Sequence, residues 1–367
     1  MQDSSRPEYD PATAAALIEA LRDPVAIIGK DTRLAAANAP MRAIVPGLRA
    51  GELLALSLRS PDILDALGRV LGGGPAETTT WRERAPVERV FEVAVGPLPI
   101  DDERDGRLAV LTLRDLTEAR RLERMRVDFI ANASHELRTP LASVLGFIET
   151  LQGAARDDPL ARARFLSIMR DQARRMSRLI EDLLSLSRIE QNEHLRPSEP
   201  VNLTAVIGHV VDTLSPMARE NNVSLDVATP GEVVVLGERD ELVRVAENLI
   251  ENAIKYGARE DGQPSTVNIK LSSDGRETCF SVRDHGPGIS PEHLPRLTER
   301  FYRVDAGASR AKGGTGLGLA IVKHIVARHR GRLSIQSIPG DGATFKVTMP
   351  AGPATATGKY NIFQCLI

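Results

Sequence analysis

The chain has 367 residues, of which 42% are hydrophobic and 26% charged, and its formal net charge is −2. This length predicts two or three domains, and this composition is typical of a soluble globular chain. The near-neutral charge gives no general attraction for nucleic acid or anionic membranes. The two cysteines, Cys279 and Cys365, lie far apart, which excludes a disulfide scaffold. No apolar run approaches the ~20 residues that span a bilayer, so we expect a cytoplasmic location and no nucleic-acid partner.

The first part of the chain alternates between short strand and helix patterns. Hydrophobic periodicity predicts two strands, short helical pieces and then three strands; the predicted strands are Val25–Ile28, Leu34–Ala37, Thr78–Arg82, Arg89–Val95 and Arg107–Leu113. This layout resembles a PAS domain, which implies a PAS-like α/β sensory domain over residues 12–115. The region contains no histidine or cysteine, so a His-ligated haem or a cysteinyl-flavin adduct is not supported. A packing and dimerisation module is the alternative.

Two long helical patterns follow, over residues 116–192. Asp115, with Glu118 three residues on, is typical of a capped helix start. The first helix carries a near-3.5 apolar spacing, at Ile130, Ala133, Leu137, Leu141, Val144, Ile148 and Leu151. A second helix with the same spacing begins after a turn at residues 153–159. Together they predict an antiparallel hairpin, and pairing with a second copy would cover its apolar face as a four-helix bundle. The alternative is a hairpin that packs only on neighbouring domains of its own chain.

The first helix contains the stretch Ser134-His135-Glu136-Leu137-Arg138-Thr139-Pro140. His135 is predicted to lie opposite the apolar stripe, with Thr139 one turn further on the same face. A solvent-facing imidazole beside a carboxylate suits proton transfer and nucleophilic chemistry. An ordinary surface histidine is the alternative. Pro140 predicts a kink because it lacks the N–H of a regular helix residue.

This stretch resembles the H box of bacterial sensor histidine kinases. The resemblance implies that His135 is the phosphorylated residue and that Glu136 orients or deprotonates its imidazole. It also implies, through the Glu-x-x-Thr pattern, that Thr139 holds a water for dephosphorylation of a partner protein. The alternative role for Thr139 is to shape the Pro140 kink.

The last part of the chain, after a polar linker over residues 188–200, mixes helix and strand patterns. It predicts an α/β sandwich with a mixed, largely antiparallel sheet over residues 200–350, and residues 351–367 form a tail without a motif. No Gly-x-x-x-x-Gly-Lys-Ser/Thr sequence occurs, which excludes a P-loop. The predicted fold class is therefore multidomain α+β: a PAS-like domain, a helical hairpin and an α/β sandwich.

One helix of this region carries a polar flank. Asn248, Asn252 and Lys255 lie four and three residues apart, so one ligand can reach all three. The segment resembles the N box of the Bergerat nucleotide fold, which histidine kinases share with gyrase B, MutL and a family of heat-shock chaperones. The resemblance implies that these residues bind ATP, that Asn252 is a ligand of Mg²⁺, and that Tyr256 lines the pocket.

Three further motifs follow in the order in which that family has them. Asp284-His285-Gly286-Pro287-Gly288 resembles the G1 box, which implies that Asp284 accepts a hydrogen bond from adenine while Gly286 and Gly288 let the backbone approach the ring. The segment around Phe301 resembles the F box. The loop formed by Gly314, Thr315, Gly316, Leu317 and Gly318 resembles the G2 box. The resemblance implies that its backbone N–H groups hold the phosphates. The polar stretch between the F box and Gly313 predicts a lid.

The resemblance across these motifs implies a homodimeric histidine protein kinase that uses ATP and Mg²⁺ and passes its phosphoryl group to an aspartate in the receiver domain of a response regulator. Kinases of this type are often tethered to the inner membrane, and such an anchor would lie outside this sequence. A single PAS-like domain before this core resembles the phosphate-responsive sensors. Two alternatives remain: a Bergerat ATPase coupled to conformational work, and a non-catalytic PAS scaffold.

Overall fold

A computed structural model describes residues 11–83, 88–102, 106–192, 194–258, 263–305 and 314–352. The chain divides into two compact units, Met1–Ile130 and Ala131–Ile367, which are described separately. Most of the predicted lid, most of the tail and Cys365 lie outside the described residues. No helix in the described ranges is long and apolar enough to cross a membrane.

The first unit is built on a five-stranded antiparallel sheet with the order β2-β1-β5-β4-β3. Its strands are β1 (Val25–Ile28), β2 (Leu34–Ala37), β3 (Glu77–Glu83), β4 (Arg89–Asp102) and β5 (Gly106–Asp115). Its short helices are α1 (Pro11–Glu19), α2 (Ala39–Ile44) and α3 (Pro61–Leu71). All five predicted strands are present. β4 is longer than predicted because its pairing with β5 continues through Asp102, where a turn was expected.

One buried polar side chain, that of Asn38, connects the first segments of this unit by hydrogen bonds. The Oδ1 atom of Asn38 accepts hydrogen bonds from the N–H groups of Val25 and Met41, each at 3.0 Å. Its Nδ2 atom donates to the carbonyl of Asp23 at 2.7 Å. Asn38 is fully buried, and it therefore caps α2 and fixes the entry into β1 at once. On the other side of the core, Trp81 stacks on Phe91 with ring centroids 5.1 Å apart.

Two long helices form the predicted hairpin, α4 (Thr117–Gln152) and α5 (Pro159–Gln191). The α4 helix begins at Thr117, so Asp115, the predicted N-cap, lies one residue before the actual cap position. Its carboxylate accepts the N–H of Thr117 at 2.8 Å. Pro140 is buried inside α4, which continues through it as one helix. Within the second unit, the rings of Phe147 and Phe165 stack across the hairpin with centroids 5.0 Å apart.

The rest of the second unit is a mixed α/β domain. Its strands are β6 (Glu199–Asn202), β7 (Val223–Ala228), β8 (Val234–Gly237), β9 (Ser265–Ser273), β10 (Glu277–Arg283), β11 (Arg332–Ser337) and β12 (Ala343–Pro350). Its helices are α6 (Leu203–Glu220), α7 (Arg239–Gly257) and α8 (Gly318–Arg328). The expected linker over residues 188–200 was wrong at both ends, because α5 runs to Gln191 and β6 begins at Glu199.

The main sheet has the order β11-β12-β10-β9-β7, and β6 pairs separately with β8. The β7–β9 pair is parallel, whereas the other pairs of this sheet are antiparallel. The α7 helix packs on α6, α8 and β9, and α8 also packs on the hairpin helix α5. The predicted mixed α+β class and the largely antiparallel sandwich are confirmed. The polar flank of α7 lies beside α8, where the predicted motifs meet.

Candidate nucleotide and phosphoacceptor site

The α7 helix separates a buried face from a polar flank, as its sequence predicted. Its apolar residues Leu242, Val245, Ala246, Leu249 and Ala253 are buried. On the flank, the Nδ2 atom of Asn248 donates to the carbonyl of Arg244 at 2.8 Å, which holds the amide along the helix. A Cβ atom added to Gly318 would lie 2.2 Å from the Oδ1 atom of Asn248. A side chain at Gly318 would have to displace this amide, so the Asn248 side chain of α7 directly abuts the start of α8.

The remaining N-box residues extend this flank toward the end of α7. Asn252 is half-buried on the same side of the helix. The ammonium group of Lys255 pairs with Glu251 at 2.8 Å, along the helix itself. Tyr256 is 38% exposed. Binding of phosphate by Lys255 would therefore require an exchange of its carboxylate partner.

Asp284 follows β10 and is almost fully buried, at 4% exposure. Its Oδ1 atom accepts the N–H groups of Gly286 at 3.0 Å and Ala343 at 3.2 Å. Burial raises the pKa of the Asp284 carboxyl above its ordinary value, although these two N–H donors oppose the shift. The fold thus uses Oδ1, and Oδ2 is the oxygen left for a ligand that donates a hydrogen bond.

The G1 glycines stand where the backbone of one segment meets that of another. A Cβ on Gly286 would lie 2.2 Å from the carbonyl oxygen of Tyr256, at the end of α7. Gly288 has φ +71°, and a Cβ there would lie 2.2 Å from the carbonyl oxygen of Ile338. Both contacts exclude a side chain, so the G1 segment lies closely against the end of α7 at Gly286 and against the segment after β11 at Gly288.

The F box and the G2 loop contact each other directly. The N–H of Phe301 donates to the carbonyl of Gly316 at 2.8 Å. Phe301 has a left-handed backbone, with φ +64°, and Gly316 has φ +74°. A Cβ on Gly316 would lie 2.9 Å from the Cα atom of Phe301. The loop from Gly314 leads through buried Leu317 into the N-terminus of α8 at Gly318.

The hydroxyl group of Thr315 has two hydrogen-bond partners. It accepts the N–H of Leu317 at 3.3 Å and donates to the carboxylate of Asp182, on α5, at 2.7 Å. The same carboxylate accepts a guanidinium N–H of Arg244 at 2.6 Å. The sequence analysis did not select Asp182 or Arg244, because nothing in their local pattern marks a partner that is distant in sequence.

His135 is exposed on α4, as predicted. Its neighbour Glu136 forms ion pairs with Arg175 of α5, at 3.1 Å, and with Arg303, at 3.0 Å. Arg303 lies two residues after Phe301 of the F box, and the sequence analysis did not select it as a site residue. The hydroxyl of Thr139 donates to the carbonyl of His135 at 3.3 Å. In this arrangement two arginines neutralise the carboxylate that was expected to serve the imidazole.

The structure thus brings the N, G1, F and G2 segments together around α7, whereas most of the predicted lid lies outside the described residues. The amides, backbone N–H groups and buried carboxylate brought together here suit a nucleotide, since they offer donors for phosphates and an acceptor for a base. The helix dipole of α8 also favours phosphate binding here, because the G2 loop lies at its positive, N-terminal end.

The sequence matches two protein families. Residues 125–192 match the His Kinase A (phospho-acceptor) domain, and residues 237–353 match the Histidine kinase-, DNA gyrase B-, and HSP90-like ATPase. The matched ranges contain the hairpin with His135 and the α7 to G2 region, respectively. The second of these matches makes the last domain an ATPase-type nucleotide-binding domain.

Similar proteins agree with these matches. The chain is 42% identical over 242 residues to the phosphate regulon sensor protein PhoR of Pseudomonas aeruginosa, covering 65% of this chain and 53% of that protein. It is 35% identical over 287 residues to the sensor-like histidine kinase SenX3 of Mycobacterium tuberculosis, covering 78% of this chain and 69% of that protein. The chain therefore spans about half the length of PhoR and about two thirds of SenX3.

A solved structure has the same fold along most of the chain. It is the histidine kinase ThkA in complex with the response regulator protein TrrA, which superimposes with a TM-score of 0.50 at 20% identity. The match covers 92% of this chain and 98% of the ThkA chain. With the phospho-acceptor and ATPase families both matched, and with a 35% identical relative covered over 69% of its length, the chain belongs to the sensor histidine kinases.

Proposed function

We propose that the protein transfers the γ-phosphoryl group of ATP to His135 and then to an aspartate in the receiver domain of a response regulator. One observation carries this proposal: the N-box helix α7, the G1 segment, the F box and the G2 loop come together, in the same compact unit as an exposed histidine on a helical hairpin. A Bergerat ATPase coupled to conformational work has no need of that histidine, and a non-catalytic scaffold has no need of the nucleotide cleft.

ATP would bind with its base at Asp284 and its phosphates at the G2 loop. The free Oδ2 atom of Asp284 accepts the amino group of adenine, with Tyr256 and the G1 glycines lining the ring. The backbone N–H groups from Gly314 to Gly318 hold the phosphates at the N-terminus of α8, where the helix dipole favours negative charge. Lys255 exchanges Glu251 for phosphate when the nucleotide arrives.

A Mg²⁺ ion fits the donors of this cleft. Asn252 offers a neutral amide oxygen on the flank of α7 that leads to Asn248 and the G2 loop. Such a site suits an ion that keeps waters and phosphate oxygens as its other ligands. Mg²⁺ would supply charge neutralisation for the transferring phosphoryl group, and Asn252 is the residue that would hold it.

His135 would act as the nucleophile through a ring nitrogen. Phosphoryl transfer depends mainly on position and charge stabilisation, so the exposed imidazole needs the γ-phosphate brought in line with it. Glu136 would orient or deprotonate the ring. Since Glu136 is paired with Arg303 in this structure, that role requires Arg303 to leave when the ATP-binding domain moves toward His135.

A homodimer is the proposed assembly. Both hairpin helices expose leucine and isoleucine side chains to about half their area, namely Leu141, Leu145, Ile180 and Leu184. These positions form i,i+4 pairs on each helix, as in a four-helix bundle. Pairing with a second hairpin would bury this face, which contact within one chain leaves open.

The response regulator is the proposed partner, and ThkA, which has the same fold, was solved with such a protein. Thr139 would then position water for dephosphorylation of the regulator. Residues 12–115 would form a PAS-like sensory domain before the phosphoacceptor domain (116–192) and the ATP-binding domain (200–350). The similarity to PhoR supports a phosphate-related stimulus.

The test is incubation with ATP labelled at the γ-phosphate and Mg²⁺. The protein should acquire label that survives base and is lost in acid, as a phosphoramidate is. His135→Gln should abolish the label while ADP still binds by calorimetry, and His194→Gln serves as the matched control. Label that persists in His135→Gln would remove the proposal.

A further inference from the structure

Carboxylates of the hairpin engage the ATP-binding domain at three places. Glu136 pairs with Arg303, Asp182 with Arg244 and Thr315, and Glu190 with Arg300. Two of these carboxylates lie on α5, and all three partner segments flank the nucleotide cleft. The structure is thus a docked state, in which the ATP-binding domain rests on the hairpin of its own chain.

The contact at Asp182 differs from the other two because its carboxylate engages both an arginine and a hydroxyl group of the G2 loop. One carboxylate oxygen accepts a guanidinium N–H of Arg244 at 2.6 Å, and the other accepts the Thr315 hydroxyl at 2.7 Å. The Asp182 side chain is only 16% exposed. A largely desolvated anion with both oxygens bonded is firmly placed, because it cannot regain water while docked.

Asp182 also stands where the phosphates of a nucleotide are expected. Thr315 lies in the G2 loop, three residues before α8 begins at Gly318, and accepts the N–H of Leu317. Arg244 holds the side chain of Asn248 through its carbonyl. The Nε atom of Arg244 is buried and, within the described residues, has no hydrogen-bond partner. An anion with more oxygens than a carboxylate, such as a phosphate, would satisfy that donor as well.

We propose that Asp182 is an internal competitor of the nucleotide: its carboxylate occupies Arg244 and Thr315 in place of a phosphate group. The inference rests on the proposed nucleotide site. Docking of the ATP-binding domain on α5 and binding of a phosphate at the G2 loop then exclude each other. By linkage, ADP or ATP must loosen docking as strongly as docking weakens the nucleotide. Undocking also frees Glu136 from Arg303. ATP binding would therefore release the Glu136 carboxylate to orient or deprotonate the neighbouring His135 imidazole.

The Glu190–Arg300 pair offers a matched comparison. It also joins α5 to the ATP-binding domain as an ion pair of partly exposed side chains. Glu190 contacts Arg300, next to Phe301, and not the G2 loop or Arg244. Because a partly exposed ion pair contributes little to docking, loss of Glu190 should loosen docking only slightly, and it leaves the anion at the phosphate position.

The experiment measures binding of ADP and of adenosine by calorimetry to the full chain, to Asp182→Asn and to Glu190→Gln. Asp182→Asn should bind ADP about tenfold more tightly if about nine-tenths of the molecules are docked. Adenosine, which has no phosphate, should bind all three proteins equally. The gain for ADP in Glu190→Gln should be much smaller than in Asp182→Asn. Equal gains in both variants, or no gain in Asp182→Asn, would overturn the proposal.

A second measurement does not depend on any variant. Hydrogen exchange of α5 around Asp182 in the unmodified chain should increase with saturating ADP and stay unchanged with saturating adenosine. Protection of α5 that is the same with both ligands would contradict the competition. If the unmodified chain binds neither ligand, the nucleotide site itself fails, which is a separate outcome.

Discussion

At the scale of single residues, Asp284 divides its two oxygens between the fold and the ligand. Its Oδ1 atom holds the N–H groups of Gly286 and Ala343. The sequence motif predicted this residue and its neighbours well, because glycines and a carboxylate after a strand form a local pattern. It could not predict Arg175 and Arg303 around Glu136, or Asp182 on Thr315, because those contacts depend on how distant segments pack.

Substitution of Asp284 by asparagine should weaken nucleotide binding without unfolding the site. Asparagine retains an oxygen for the two backbone N–H groups, but its amide nitrogen replaces the oxygen that would accept adenine. The loss should be about 1–3 kcal/mol, the cost of one unsatisfied buried polar group. Calorimetry with adenosine checks this value. Asp341→Asn, an exposed carboxylate paired with Arg283, is the control, and equal affinities of the two variants would place adenine elsewhere.

The pH at which adenosine binding weakens on the acid side should be set by Asp284 as well. Because burial raises the pKa of Asp284 above the ordinary 3.8, the carboxylate protonates at a higher pH than an exposed aspartate. Adenosine affinity should therefore fall as the pH drops through this raised pKa. The contribution of this group to stability has the opposite dependence: it is fully present below pH 3.8 and is lost as the pH rises through the raised pKa. Adenosine titrations from neutral to acidic pH measure the first effect, and an unchanged affinity down to pH 3.8 would contradict it.

Thr139 has a hydroxyl group that the fold uses only in part. It donates to the carbonyl of His135, so its oxygen can still accept a hydrogen bond from a water. Thr139→Ala should leave autophosphorylation of His135 intact and slow dephosphorylation of the phosphorylated regulator. Thr139→Ser keeps the hydroxyl and is the control. If alanine reduces both activities together, or neither, Thr139 serves the helix and not the water.

At the scale of elements, periodicity predicted the mixture of helices and strands in the nucleotide domain and its largely antiparallel sheet. The β6 strand was missed because Glu-Pro-Val-Asn has no alternation and contains Pro200; it forms because β8 offers a partner. Pro140 lies inside α4, which continues through it as one helix, and the kink expected there stays a prediction. Pairing and packing decide such segments, and neither is visible in a local pattern.

The contact between the G2 loop and the F box can be tested with one methyl group. Gly316→Ala places a Cβ 2.9 Å from the Cα atom of Phe301, at a position with φ +74°. The left-handed backbone alone costs about 1–2 kcal/mol, and the clash must also displace the loop. ADP affinity should therefore fall. Gly275→Ala has φ +84° but no atom within 4 Å of the new Cβ, so it carries the backbone cost alone and should leave ADP affinity unchanged.

At the scale of the whole molecule, assembly should depend on the apolar face of the hairpin. Leu145 on α4 is 52% exposed within one chain. Leu145→Arg places a charge in the proposed interface, where burial without a partner is costly. Size-exclusion chromatography with light scattering should show a dimer for the unmodified protein and a shift toward monomer for the variant. Leu56→Arg changes a 61% exposed leucine of the first unit and should remain dimeric; a dimer in both variants would place the interface elsewhere.

The parallel pairing of β7 with β9 sets the order in which the nucleotide domain is completed. Ser224 and Thr266, hydrogen-bonded across this pair, are 42 positions apart, and α7 lies between the two strands in the chain. Closing so long a loop costs entropy before the contact returns any stability. During synthesis, α7 can gain its sheet partner only after β9 has left the ribosome. Recognition of the nucleotide therefore emerges late in folding, and a chain that ends before Ser265 has the asparagines of α7 without the sheet that supports them.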